Sequence, residues 1–259
     1  VSMTLDRPAA TRTELRWEVA IVLLLSLGQS AIYSVVSLVA KLTAPGGLSN
    51  QAAVLNQSRS TRVYLDLTYQ LLDIAFALIP VLLALYLLHR DRLSPFRTLG
   101  IDFRRPLSDL GWGTGLAAGI GLPGLLLVYA AAQLGLNAQI VPAALQPVWW
   151  AVPVLVLSAV QNAVLEEVIV VGYVVTRLRQ FGWRLWWVVA ASSVLRGSYH
   201  LYQGFGAFVG NAVMGVIFSL FFLRKGRVMP LIVAHTLLDV VAFVGYTLVP
   251  SDWLDWLLK

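Results

Sequence analysis

The chain has 259 residues, 58% of them hydrophobic and only 12% charged, with a mean hydropathy of +0.76. Soluble domains carry about 25% charged residues, so a soluble globular domain is excluded and the excess apolar side chains must face lipid. There is no cysteine, which excludes a disulfide framework, a thiolate metal site and a cysteine nucleophile. The net charge of +6 is spread between apolar runs rather than gathered in one patch, a pattern of membrane topology and not of nucleic-acid binding.

Residues 1–16 carry Asp6, Arg7, Arg12, Glu14 and Arg16 and read as a cytoplasmic segment ahead of a retained first span, because no small-residue cleavage site follows the apolar run. A helical span needs about 20 apolar residues. Seven segments approach that length, at about 17–41, 63–88, 109–135, 148–176, 185–203, 206–223 and 228–250. The expected fold is therefore an all-α polytopic transmembrane helix bundle of about seven spans, six to eight being compatible with the pattern. A single bundle over 17–250 is followed by an interfacial tail at 251–259 carrying Trp253 and Trp256. The alternating ten-residue segments of a β-barrel are missing.

Orientation follows from the loops. Arg90, Arg92, Arg97, Arg104 and Arg105 lie between spans two and three. Arg177, Arg179 and Arg184 lie between four and five, and Arg224, Lys225 and Arg227 between six and seven. The positive-inside rule puts these loops and the N-terminus in the cytoplasm of a cell (inner) membrane, and the polar 42–62 loop outside. Trp183, Trp186 and Trp187 fit an aromatic belt at the basic edge, and Trp149 with Trp150 fits the opposite one.

Ionisable residues inside spans each cost about 2.5–3.5 kcal/mol on insertion scales and call for a function or a partner. Span four carries Asn162, Glu166 and Glu167, with Asn162 and Glu166 on one helix face. Arg196 and His200 in span five are also four apart, and Arg196 needs an acid, with Glu167 as first choice and Asp73 as second. Span seven repeats the spacing with His235 and Asp239. Asp66, Gln70 and Asp73 in span two read as structural pairing, and Asn211 in span six as interhelical glue.

This set contains no serine in a nucleophile motif and no zinc-binding His-Glu-x-x-His helix. It does allow a carboxylate that activates a water, with imidazoles nearby to share that water or stabilise an oxyanion. A divalent metal held by Glu166, His200 and His235 is the competing reading of the same residues.

The three motifs, Glu166-Glu167-Val168-Ile169-Val170-Val171, Arg196-Gly197-Ser198-Tyr199-His200 and His235-Thr236-Leu237-Leu238-Asp239, lie in that order in separate spans. Over roughly 148–245 they resemble the CPBP family of CAAX proteases and bacteriocin-processing enzymes, also called Abi proteins. The family pattern is Glu-Glu-x-x-x-Arg, Phe-x-x-x-His and His-x-x-x-Asn or Asp. The resemblance implies an intramembrane endopeptidase of glutamic type acting on a membrane-associated peptide or protein; the water mechanism requires no cofactor, with a divalent metal as the alternative. Glu166 and His200 would hold the attacking water, His235 and Asp239 would line the oxyanion side, and Glu167 would support them; Arg196 and Asn162, outside the family pattern, are expected to support the same group.

The chain departs from the pattern twice, with Val171 at the motif-one Arg and Arg196 at the motif-two Phe. The two losses are complementary, so Arg196 is expected to supply the guanidinium to Glu167. An ionised Asp239 cannot donate to an oxyanion, so it would be protonated or would orient His235. At about 1.5 Å per residue from the basic loops, Glu166 lies roughly 16 Å deep and His200 roughly 24 Å. Convergence is then expected only if span five begins after Trp187. Two other classes fit the composition: a catalytically silent scaffold of the same fold, and a proton-coupled transporter, for which the expected inverted repeats are missing.

Overall fold

The computed structural model describes residues 11–91 and 93–248. Asp6, Arg7, Arg92 and the 251–259 tail with Trp253 and Trp256 lie outside the described residues. The chain is a helix bundle, as its composition requires. It runs through α1 (Arg12–Leu24), α2 (Leu27–Thr43), α3 (Val63–Ala77), α4 (Ile79–Arg90), α5 (Pro95–Leu99) and α6 (Pro106–Gln133). Then come α7 (Ala151–Glu166), a π-helical stretch (Glu167–Val174), α8 (Val175–Gln180), α9 (Leu185–Ser198), α10 (Phe205–Lys225) and α11 (Met229–Leu248).

Among the described residues, five helical runs are long and apolar enough to cross a membrane: Val63–Arg90, Pro106–Gln133, Ala151–Gln180, Phe205–Lys225 and Met229–Leu248. The pair α1 and α2 passes the same test only when taken together, and it is bent by 52° at its break. The bend sits where Ser26 Oγ donates to the Val22 carbonyl. Gly28 permits it, since a Cβ there would lie 2.8 Å from the Leu23 carbonyl oxygen.

The expected span at 185–203 is different. Its helix α9 has 14 residues, about 21 Å of rise, short of a full span. It stops at Tyr199, and the chain turns through a 3-10 stretch (Leu201–Gln203) to Gly204, whose φ of 124° only glycine takes readily.

The three basic loops gather at one end of the bundle. Val228 N donates to the Leu99 carbonyl (2.8 Å), and Arg177 Nη1 lies 2.6 Å from Asp91 Oδ2. The other end is closed by a small parallel sheet joining β1 (Ala52–Val54) to β2 (Gln139–Val141) in the register Ala52–Gln139. Ala138 N donates to the Gln203 carbonyl beside it. Trp183, Trp186 and Trp187 are exposed near the basic end, as a belt requires, and so is Trp149 near the other end. Trp150 is a correction: it is 2% exposed and belongs to the packed interior.

The helices are not buried alike. The best window of Ala151–Gln180 is 61% buried, and that of Pro106–Gln133 only 6%. Span four is thus the central post, wrapped by α4, α9, α10 and α11, and its polar residues face protein rather than lipid. Val168, Ile169, Val170 and Val171 in the π-helical stretch are buried in the main apolar core.

Candidate active site

Each polar side chain reaches the centre for a local reason. Glu166 ends α7 and Glu167 opens the π-helical stretch. Such widened turns recur at functional sites. Helix α9 runs antiparallel to this stretch. Ser192 Oγ donates to the Val170 carbonyl, Arg196 meets Glu167, and Tyr199 meets Glu166. His235 and Asp239, one turn apart on α11, approach from the other side.

The centre is a set of shared atoms. Arg196 Nη2 lies 2.5 Å from Glu167 Oε1, and His235 Nδ1 donates to the same oxygen at 2.7 Å. The expected pairing of Arg196 with Glu167 is therefore present, while Asp73, the second choice, is bound instead by Arg59 at 2.8 Å. Glu166 Oε2 accepts from Tyr199 Oη at 2.7 Å. Three more nitrogens face that oxygen at longer range: Arg196 Nη1 at 3.7 Å, His200 Nε2 at 3.9 Å and His235 Nε2 at 4.0 Å. Asp239 Oδ1 lies 3.6 Å from His235 Nε2, and its Oδ2 accepts from Asn162 Nδ2 at 3.4 Å. Gln203 Nε2 is 3.4 Å from His200 Nδ1.

The depth argument needs a correction. Helix α9 begins at Leu185, not after Trp187, yet His200 still meets Glu166. Arg177 is not a loop residue: it is fully buried inside α8 and bound to Asp91 and Glu18. Counted from Gln180, the end of α8, Glu166 lies about 21 Å in, and His200 lies about 22 Å from Leu185. The two depths match.

Asp66 and Gln70 are structural, as expected. Asp66 is buried and accepts from Arg59 N at 2.6 Å and from Gln70 Nε2 at 3.4 Å. Asn211 also needs correcting. Its amide donates to Ala207 of its own helix, so it is not interhelical glue.

Two features were missed in the sequence. One is Tyr199 as a partner of Glu166. The signal was available, since Tyr199 stands three residues after Arg196 and so shares its helix face. The other is Gln203 beside His200, which only the turn after α9 brings into range.

The constellation borders a cavity of about 1740 Å³. Glu166, His200, His235 and Asp239 line its inner wall, and the exposed Tyr33 and Val241 belong to its rim. Four buried polar atoms at the centre have no protein partner: Glu167 Oε2, Arg196 Nε, Arg196 Nη1 and His200 Nε2. Of these residues His200 lines the cavity, and its orphaned nitrogen marks a place for a small polar guest.

A divalent metal fits this guest place poorly. Among the described residues the group with metal-ligand spacing is Glu166, Glu167 and His235, with all ligand atoms within 4.8 Å. In that group Glu167 Oε1 already serves Arg196 and His235, and the Arg196 guanidinium stands 3.7 Å from Glu166 Oε2. A fixed cation touching both carboxylates opposes a second one. A water meets no such opposition.

No curated protein and no solved structure matches the chain. Residues 148–241, which contain Asn162, both glutamates, Arg196, both histidines and Asp239, match the family model described as Rce1-like, type II CAAX prenyl endopeptidase Rce1-like, the resemblance that the three motifs carry.

Proposed function

We propose that this chain is a membrane-embedded endopeptidase that cuts a peptide bond with a water activated by Glu166. The observation that carries the reading is the spacing around one carboxylate oxygen. Two imidazole nitrogens face Glu166 Oε2 at 3.9 and 4.0 Å. That is too far for direct hydrogen bonds and right for one bridging water.

His235 gives its Nδ1 proton to Glu167, which leaves Nε2 as an acceptor. With Gln203 donating to His200 Nδ1, a neutral His200 carries its proton on Nε2. A water between them donates to Glu166 Oε2 and to His235 Nε2 and accepts from His200 Nε2–H. In the reaction the water oxygen bonds to the carbonyl carbon, and the π pair moves to the carbonyl oxygen. The water proton passes to Glu166. Glu166 then returns that proton to the leaving nitrogen as the C–N bond breaks.

Glu167 and Arg196 do not touch substrate in this scheme; they hold His235 in one tautomer. No cofactor is required, and the cationic Arg196 supports that choice over the metal reading. The substrate is a membrane-associated peptide or protein. The largely apolar cavity suits a lipid-modified chain, and a prenylated C-terminal segment is the substrate class that the matched family's description names. The basic loops and N-terminus face the cytoplasm of a cell (inner) membrane in this reading, which puts the cut on that membrane.

Purified protein in lipid nanodiscs, incubated with farnesylated and unmodified CAAX peptides, tests the proposal. Cleavage of the farnesylated peptide is expected, insensitive to chelator, and lost more than 10³-fold in Glu166→Gln. No cleavage by wild type at any pH overturns the enzyme reading and leaves the silent scaffold. Loss on chelation with recovery on adding zinc overturns the water mechanism in favour of the metal.

A further inference from the structure

A proton inventory of the centre leaves one job unfilled. The tetrahedral intermediate places negative charge on the former carbonyl oxygen, which needs a hydrogen-bond donor. Asp239, as a carboxylate, accepts only. In the neutral His235 of the proposed scheme, Nδ1–H is engaged by Glu167 and Nε2 is an acceptor. In the proposed scheme the Nε2 proton of His200, which stands 3.9 Å from Glu166 Oε2, serves the attacking water. Tyr199 Oη–H is already engaged as the donor to Glu166 Oε2.

Arg196 Nε and Nη1 also lack a partner, but Arg196 is fully buried and does not line the cavity, whereas Asn162 is a neutral donor that touches this group from the cavity wall. It stands one turn before Glu166 on the same helix face, lines the cavity, and donates from Nδ2 to Asp239 Oδ2 at 3.4 Å. An amide nitrogen carries two protons, so one serves Asp239 and the other is free to serve a guest in the cavity.

We infer that Asn162 is a catalytic residue: its side-chain amide is the oxyanion donor of the proposed hydrolysis, anchored in position by Asp239. This rests on the peptidase reading above. In the step concerned, the water oxygen bonds to the carbonyl carbon, the π pair moves to oxygen, the proton goes to Glu166 Oε2, and the Asn162 N–H meets the new oxyanion. The amide that the family pattern permits at the end of motif three is here moved to the neighbouring helix.

The test is a double-mutant cycle on the protein in nanodiscs with a farnesylated CAAX peptide. Asn162→Ala is expected to lower kcat by about 10²-fold, with KM changed less than threefold. In an Asp239→Asn background, which returns an amide to motif three, the same substitution is expected to cost at least tenfold less. Asn162→Leu, of similar shape and without the amide, replaces Asn162→Ala if the smaller side chain unfolds the protein. A kcat loss below thirtyfold, a loss carried by KM, or a cost that shrinks less than tenfold between the two backgrounds overturns the inference while the peptidase reading stands. No cleavage by wild type overturns both.

Discussion

Two buried-acid clusters built around arginine show how this chain separates architecture from chemistry. At the basic end, Arg227 Nε and Nη2 grip both oxygens of Asp109 at 2.8 and 2.6 Å, and Nη2 also reaches Asp102 Oδ1 at 3.0 Å. This bidentate geometry is closed: each acid oxygen in it has its donor. In the interior, Arg196 meets one oxygen of Glu167 and stands 3.7 Å from Glu166, with Nε and Nη1 unpartnered. The first cluster ties the α10–α11 loop to the start of α6. The second has the same ingredients but leaves atoms unsatisfied around Glu166, with three nitrogens 3.7–4.0 Å from one of its oxygens. Completed pairing marks a clasp, and incomplete pairing beside a cavity marks a site.

The comparison breaks most visibly at the interior ion pair. Arg196→Leu strands Glu167 in a fully buried position, and a loss of about 3–5 kcal/mol is expected, read as a fall in thermal unfolding temperature in detergent. The charge swap Glu167→Arg with Arg196→Glu is expected to recover most of that stability. It is not expected to recover cleavage, because His235 loses the carboxylate that takes its Nδ1 proton. Recovery of both would show that Glu167 serves only the ion pair.

A smaller effect is expected at Tyr199→Phe. It removes one hydrogen bond to a carboxylate, worth about 1.5–3 kcal/mol, and so a roughly tenfold or greater drop in kcat with the fold retained. Unchanged kcat would remove Tyr199 from the site.

The smallest effect belongs to the clasp. The Arg227 guanidinium, and then the Arg104 backbone N–H, hold the part-buried Asp102 carboxyl below its ordinary range. A lowered folded pKa gives stability that is present above the unfolded value, near 4, and lost as pH falls toward the folded one. Thermal unfolding followed from pH 6 to pH 3 should therefore fall slightly less steeply in Asp102→Asn than in wild type. Identical slopes would mean that the pair adds nothing measurable, as many exposed pairs do.

The candidate site was more legible than the fold's details. Glu166, Glu167, Arg196, His200, His235 and Asp239 stood out because charge inside an apolar run is costly, and costly residues need a reason. Their four-residue spacings gave the faces. Tyr199 escaped notice because a tyrosine in an apolar helix needs no special account. Trp150 was misplaced because a tryptophan near a helix end reads the same whether it faces lipid or protein. Arg177 was misread as a loop residue for a related reason: its partners, Glu18 and Asp91, lie far away in sequence.

Composition and periodicity alone determined that this chain is a membrane-embedded helix bundle. Apolar content and segment length depend on local sequence, and the bilayer accepts few solutions. Three further facts were decided only by tertiary structure: that α9 is a 14-residue helix ending under a turn, that span four is the buried post, and that Glu166 Oε2 faces two imidazoles across a gap. Each depends on contacts between residues about 30 to 70 positions apart, set by how helices pack against one another, and periodicity along one helix carries no record of its neighbours.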